Sequence, residues 1–227
     1  MAIILNIETA TTNCSVSVAK DGKMLALKEF NSASFSHAEQ LHIFIEDVLK
    51  EASLLVADIN AIAVSKGPGS YTGLRIGVSA AKGLCFSLDI PLISVATLSS
   101  LAHQTKPKEN EAIVAVLDAR RMEVYSAVFT NDFNQIKETE AIIIDETSYS
   151  DVLGAYSKVH FVGSGAEKIK NTIQATNTVY ILDAVPSAKE MCALSFVKFK
   201  NLELEDVAYF EPYYLKDFVL QKPKPKK

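Results

Sequence analysis

The densest chemistry in this sequence lies in one glycine-rich run, Gly67-Pro68-Gly69-Ser70-Tyr71-Thr72-Gly73-Leu74-Arg75. A strand that feeds such a run at the start of a helix points backbone N–H groups at one spot, an arrangement suited to phosphate. The Walker pattern requires Lys and Ser or Thr after the last glycine, and here Leu74 and Arg75 follow Gly73. A dinucleotide fingerprint needs an acid at the end of the next strand, where Val95-Ala96-Thr97 supplies none. Spacing alone therefore leaves two readings open: an anion cradle, or a tight strand-to-helix turn that needs glycine for its backbone. Ser70 lies outside any G-x-S-x-G elbow, and no His with an acid is spaced as a triad, which speaks against a peptidase. The other charged constellation is Asp118-Ala119-Arg120-Arg121-Met122-Glu123, either a solvated hairpin turn or a binding turn. Glu8 ends the first predicted strand, where it could hold a hydrated cation or bond the backbone of Thr9, Thr11 or Thr12. Of four histidines, His37 and His42 are five residues apart, about 140° around a helix, so they do not share one metal. His37 reads as a packed or capping residue, and neither a metal nor a cofactor is expected.

These residues must be positioned by alternating strands and helices. Alternation predicts strands at 2–8, 14–19 and 24–30, the last two joined through Asp21-Gly22. Helical spacing follows at 35–52, then a buried strand at 59–65, the glycine loop, a helix to about residue 88, a strand at 92–95 and a short helix from Thr97. The polar run 105–111 marks a lobe boundary, giving lobes of 1–105 and 106–227. Beyond it, strands are predicted at 112–117, 122–129, 136–144, 159–162 and 179–182, and helices at 145–156, 166–174 and 187–200. A hairpin-led sheet followed by helices, occurring twice, is the layout of the two-lobed α/β actin-like, ribonuclease-H-like fold.

Bulk properties restrict the function classes. With 227 residues, 48% hydrophobic and 22% charged, the chain can build a substantial core. No predicted segment suits a membrane span, and Cys14, Cys85 and Cys192 encode neither a disulfide framework nor a zinc knuckle, so a cytoplasmic setting is expected. A net charge of −4 disfavours extended nucleic-acid binding. The exception is the basic tail within 221–227, Lys222-Pro223-Lys224-Pro225-Lys226-Lys227, read as a frayed terminus with an RNA contact as the alternative.

The run from Gly67 through Arg75 to Ile76-Gly77 resembles the GPGS(F/Y)TGLRIG signature of the TsaB (YeaZ) family of bacterial threonylcarbamoyladenosine biosynthesis proteins. Further matches follow in order: Ile7-Glu8-Thr9-Ala10 with Cys14-Ser15-Val16, Ser36-His37-Ala38-Glu39-Gln40-Leu41, Asp118 to Tyr125, and Pro212-Tyr213-Tyr214-Leu215. Ala10 stands where the family more often has Ser, Met122 where Gly is usual, and Gly163-Ser164-Gly165 where Gly-Asp-Gly is common; Ala10 weakens any phosphate role for the first turn. The resemblance implies an actin-like ATPase fold that has lost its catalysis. It also implies pairing with a homologous metal-dependent subunit, TsaD, with the ATPase TsaE in the same assembly. tRNA would be met mainly through the complex, and a homodimer could form in isolation. The alternative function is an autonomous nucleotide-dependent enzyme of the actin-like superfamily.

The second predicted helix is apolar on both faces. Leu74, Gly77, Val78, Ala81, Leu84 and Leu88 fill one side, and Ile76, Ser79, Ala80, Gly83 and Phe86 the other, leaving only Arg75 and Lys82 charged. Since a helix beside a small sheet buries one face, the second face, with Ile43 from the first helix, is expected to be the partner interface.

Overall fold

The computed structural model describes residues 1–32 and 37–216. Phe35 and Ser36, read as the approach to the first helix, and the basic tail at 222–227 lie outside them. The first sheet is built from β1 (Ile3–Glu8), β2 (Asn13–Lys20), β3 (Lys23–Asn31), β4 (Ala61–Gly67) and β5 (Leu92–Ala96) in the order β3-β2-β1-β4-β5. Helices α1 (His37–Glu51) and α2 (Tyr71–Leu88) provide its crossovers, and α3 (Thr97–Ala102) follows β5. The second sheet repeats the plan with β6 (Glu111–Asp118), β7 (Glu123–Thr130), β8 (Gln135–Ile143), β9 (Lys158–Val162) and β10 (Thr178–Ile181), ordered β10-β9-β6-β7-β8. Helices α4 (Ser150–Ala155), α5 (Ala166–Thr172) and α6 (Ala188–Lys200) complete the chain order. In both sheets the first three strands are antiparallel and the last two parallel, so the expected two-lobed actin-like fold is the one adopted.

Alternation in β2 explains how two layers are held. Cys14, Val16 and Val18 turn to the α1/α2 layer, where they join Leu5, Ile7, Leu41, Val48, Val64 and Val78 in one core. Asn13, Ser15 and Ser17 face the other way, yet they too are buried. Helix α6 covers them. Ser195 Oγ donates to Asn6 Oδ1 (2.7 Å), Ser17 Oγ donates to the Ala188 carbonyl (2.8 Å), and the Ala188 N–H donates to Ser15 Oγ (3.0 Å). Asn13 Nδ2 donates to the Pro186 carbonyl at 3.0 Å. Ala188 and Met191 complete the contact against Ile4, Ala61, Ala63, Ile93 and Val95. In return α3 packs on the second sheet, with Leu98 and Leu101 against Ile113, Ala115, Leu117 and Phe129. Packing thus groups α6 with residues 1–105, whereas chain order groups it with 106–227.

Two expectations are corrected. The helix predicted at 145–156 is confined to Ser150–Ala155, because the Asp145 carboxylate accepts from the Thr147 N–H and hydroxyl, both at 2.8 Å, and holds a turn instead. A single 3-10 turn, Val56–Asp58, also precedes β4, which runs on to Gly67. Among the described residues no helix is long and apolar enough to cross a membrane.

Ser195→Ala should lower unfolding free energy by about 1–3 kcal/mol, since it leaves Asn6 Oδ1 buried without that donor. Equilibrium urea unfolding measures this; a change within experimental error would mean that Asn6 is satisfied from elsewhere.

Candidate functional site

The glycine loop joins β4 to α2 and is clamped against the β1–β2 turn. The Ser70 N–H donates to the Ala10 carbonyl (2.6 Å), and Thr9 Oγ1 donates to the Gly73 carbonyl (2.8 Å). A Cβ on Gly69 would overlap Ala10, and one on Gly73 would overlap the Thr9 carbonyl oxygen. Gly67 has φ of 108°, a left-handed conformation natural to glycine, and its N–H donates to Thr97 Oγ1 at 3.1 Å. Ser70 is the N-cap of α2, its hydroxyl accepting from the Gly73 N–H at 3.3 Å. The glycines therefore permit close approach of two backbones, and the loop's Gly67, Ser70 and Gly73 N–H groups are engaged within the chain.

Beneath this contact lies Glu8, fully buried. One carboxyl oxygen accepts from the Ala10 N–H at 2.6 Å, and the backbone of Thr9, one of the threonines expected, also bonds the carboxyl. The other, Oε2, has no partner with hydrogen-bond geometry; the nearby Ser65 Oγ lies 2.7 Å from Thr97 Oγ1, and either hydroxyl can donate. Desolvation pushes the Glu8 carboxyl up to about 7 against the pull of the Ala10 hydrogen bond. The same burial, with Glu8 beside it, pushes the Cys14 thiol up to about 11. His37 is buried too; its Nε2 bonds the Thr11 carbonyl at 2.7 Å, tying the start of α1 to the same turn.

Above the loop an inter-lobe cleft of about 880 Å³ opens, lined by the Ala10–Thr12 turn, residues 68–72, the β6–β7 hairpin at 117–121, Ser164, and 213–216. The structure brings Pro68, Gly69, Ser70, Tyr71 and Thr72 together with Asp118, Arg120 and Arg121 in this cleft; Glu8 is not in its wall. Asp118 pairs with Lys168 (2.9 Å) and accepts from the Arg120 N–H (2.6 Å), and Glu123 pairs with Lys216.

A C-terminal strap that carries Pro212-Tyr213-Tyr214-Leu215 lines the cleft, a course that no periodicity in the sequence predicts. After α6 it passes β5, where the Glu205 N–H donates to the Leu92 carbonyl (2.8 Å). Lys82 Nζ then donates to the carbonyls of Ala208 and Phe210, both at 3.0 Å, and the Tyr213 N–H to the Lys66 carbonyl (2.7 Å). Arg75 stacks 4.2 Å over Tyr71 and donates through Nε to the Tyr214 hydroxyl (3.3 Å). Both cations of α2 are thus engaged with the strap.

The inner face of α2, with Leu74, Gly77, Val78 and Ala81, is buried as expected. On the other side Ser79, Gly83 and Phe86 are exposed, Phe86 to 86%, while Ile76 and Ala80 are half-buried at the margin of the first core. A Cβ at Gly83 would meet nothing within 4 Å, and Ile43 is exposed on α1.

Comparison with known proteins agrees with this layout. A family profile described as TsaD, tRNA N6-adenosine threonylcarbamoyltransferase, matches residues 31–224. The chain is 32% identical to the tRNA threonylcarbamoyladenosine biosynthesis protein TsaB of Escherichia coli, over 99% of each chain. It is 40% identical to a tRNA N6-adenosine threonylcarbamoyltransferase of Bacillus thuringiensis over 108 residues, 41% of this chain and 32% of that protein. The solved structure of YeaZ from Pseudomonas aeruginosa superposes with a TM-score of 0.83 at 24% identity, covering 95% of this chain and all of that one.

Two measurements probe the site. Gly73→Ala should cost well over the ~1 kcal/mol scale of helix propensity, because a backbone carbonyl must move, whereas Gly83→Ala should stabilise by about 0.5–1 kcal/mol. Thermal melts that failed to separate the two would remove the close-approach account of the loop. For Glu8, the folded-state value lies above the unfolded one near 4.5. Its contribution is therefore fully present below about pH 4.5, declines as pH rises, and is lost above about 7. Glu8→Gln should then raise stability at pH 8 more than at pH 5. An equal effect at both would show that Glu8 does not titrate in this window.

Proposed function

We propose that this chain, which belongs to the TsaB family of tRNA threonylcarbamoyladenosine biosynthesis proteins, acts in that modification as a non-catalytic docking subunit. Its partner is a homologous catalytic chain of the TsaD kind, engaged through the outer face of α2 and Ile43. The observation that carries this reading is the exposed side of α2: Phe86 stands in solvent beside Gly83, on a helix whose opposite face is already in the core. An exposed aromatic next to a small residue offers a protrusion and a place for close helix approach. A partner of the same fold would present a matching helix pair, and the two pairs would pack as a four-helix seam. The same surface would serve a homodimer when the partner is absent.

Local chemistry supports a scaffold over the autonomous nucleotide-dependent enzyme. Glu8, the acid in the position to hold a hydrated cation, is sealed beneath Ala10 and pushed towards neutrality at physiological pH. Ser70 spends its hydroxyl as a helix cap, which disfavours the peptidase reading. Catalysis in this proposal belongs to the partner, with a TsaE-type ATPase in the assembly, tRNA met mainly through the complex, and the cytoplasm as the setting.

Reconstitution tests the proposal. The chain alone should neither hydrolyse ATP nor modify tRNA, and omitting it from a mixture with its TsaD-type and TsaE-type partners should abolish modification. Gly83→Arg, placed where a Cβ meets nothing, should remain folded yet elute as a monomer that no longer binds the catalytic chain in size-exclusion with light scattering. The loss of association should be several kcal/mol if the charge is desolvated at the seam. A folded Gly83→Arg protein that pairs normally would move the interface elsewhere.

A further inference from the structure

The turn at 206–210 of the strap holds an aromatic side chain away from its own core. Val207 and Phe210 pack against the first-lobe core, while Tyr209 between them is 83% exposed. The backbone beneath it is fixed. Asp206 Oδ1 accepts from the Ala208 N–H (2.8 Å) and the Tyr209 N–H (3.1 Å), and the Phe210 N–H donates to the Asp206 carbonyl (2.8 Å). Lys82 ties this turn to α2, since its Nζ donates to the carbonyls on either side of Tyr209, those of Ala208 and Phe210. Along α2, Arg75, Ser79, Lys82 and Phe86 recur at steps of four, three and four residues and so form one stripe. Phe86 therefore stands one helical turn beyond the lysine that holds the turn of Tyr209. These two are the most exposed phenylalanine and tyrosine among the described residues.

A lone aromatic side chain on a surface needs no explanation; two on one anchored frame call for one. Both are held in place before anything meets them, one by a helix and one by a hydrogen-bonded turn, so little freedom is lost when they are covered. The charges around them indicate what covers them. Residues 203–211 carry Glu203, Glu205, Asp206 and Glu211 and no lysine or arginine. Of the cations that reach this segment, Lys198 pairs with Glu203, Lys82 is turned to the backbone carbonyls, and Arg75 is engaged with Tyr71 and Tyr214. Asp206 and Glu211 are exposed and form no ion pair among the described residues. On the other flank of α2, the exposed Glu39 and Glu46 lie one turn to each side of Ile43, again without an ion pair and with Lys50 the exposed cation nearest in sequence. The apolar outer face of α2 is thus bordered by carboxylates on both sides.

We propose that the strap is a second docking element for the partner that α2 receives, with Tyr209 and Phe86 as paired aromatic anchors and with Asp206 and Glu211 meeting a basic rim on that partner. The inference rests on docking at the outer face of α2, and adds to it both the strap and the charge the partner must carry. Large rings with few torsions make strong anchors once water is excluded around them. Charges at the rim steer encounter and select among partners more than they add affinity. A second copy of this chain brings the same carboxylates to the same seam, where like charges oppose one another. The rim therefore favours a helix pair flanked by lysine or arginine over self-association.

The test is calorimetric titration of the full chain against the TsaD-type chain at low and at high salt, with self-association followed by light scattering. Tyr209→Ala should melt with the parent, because the ring stands in solvent, yet bind about tenfold more weakly, and Tyr209→Phe should keep most of the affinity. Asp206→Asn/Glu211→Gln removes two charges while leaving an oxygen to accept from the turn. It should bind about threefold more weakly at low salt and show a flatter salt dependence, with self-association unchanged or tighter. Gly83→Arg, measured in parallel, separates this inference from the reading on which it rests. If Gly83→Arg abolishes binding and Tyr209→Ala binds as the parent does, docking on α2 stands and the strap proposal is overturned; if both bind as the parent does, both are overturned. A loss in Tyr209→Ala confined to self-association, or an affinity unchanged or raised in the double charge variant, would also overturn it.

Discussion

The polar seam between helix α6 and strands β1 and β2 is the contact on which the two-lobed arrangement depends. Polar side chains taken out of water must find partners or cost several kcal/mol in the limit of an apolar surround. Asn6, Ser15 and Ser17 bond one another or Glu29 on the sheet, and take their further partners from Ser195 and the backbone of Ala188. Because such bonds are directional, they fix the position of α6 along the strands more sharply than its small apolar contacts could. Helix α3 makes the reciprocal visit to the second sheet through Leu98 and Leu101. Each lobe is thus finished by the helix that the chain delivers after the other lobe's strands, and the cleft lies between two units that share their cores.

Within this frame the first lobe has turned its ligand-facing parts inwards. The β1–β2 turn and the glycine loop meet backbone to backbone, with Ala10 and Gly69 in contact and Gly73 against Thr9. Glu8 is sealed below them and accepts from the Ala10 N–H. The second lobe behaves differently: its hairpin lines the cleft with Arg120 and Arg121, which form no ion pair among the described residues. Two halves of one topology therefore carry unequal chemistry, one devoted to packing and the other open.

Much of this was legible in the sequence because it is written in short-range periodicity. Alternation at residues 14–19 and the helical step through Leu74, Val78 and Ala81 report local burial, and the order of elements follows. The two-faced character of α2 was legible for the same reason, down to Gly83 and Phe86 on the outer side. What escaped depends on distant partners. Ser15 and Ser17 alternate with apolar residues in the same way whether they face water or a helix, and Ser17 meets its carbonyl partner 171 residues later. The strap was hidden because segments without periodicity reveal their course only through contacts such as that of Tyr213 with Lys66. The helix expected from Asp145 failed at a detail that pattern does not weigh, a carboxylate competing with the backbone for its own amides.

The seam has one more consequence, in the order of events as the chain leaves the ribosome. Strands β1 and β2 are made long before α6. Until it emerges, α1 and α2 can cover one face of the first sheet, while the other leaves Asn6, Ser15 and Ser17 open to water beside Ile4, Ala61, Ala63, Ile93 and Val95. That face is completed only once α6 has been made, and completing it closes a loop of 189 residues between Asn6 and Ser195. Contacts of such long range slow folding, and they make both lobes reach their final form together.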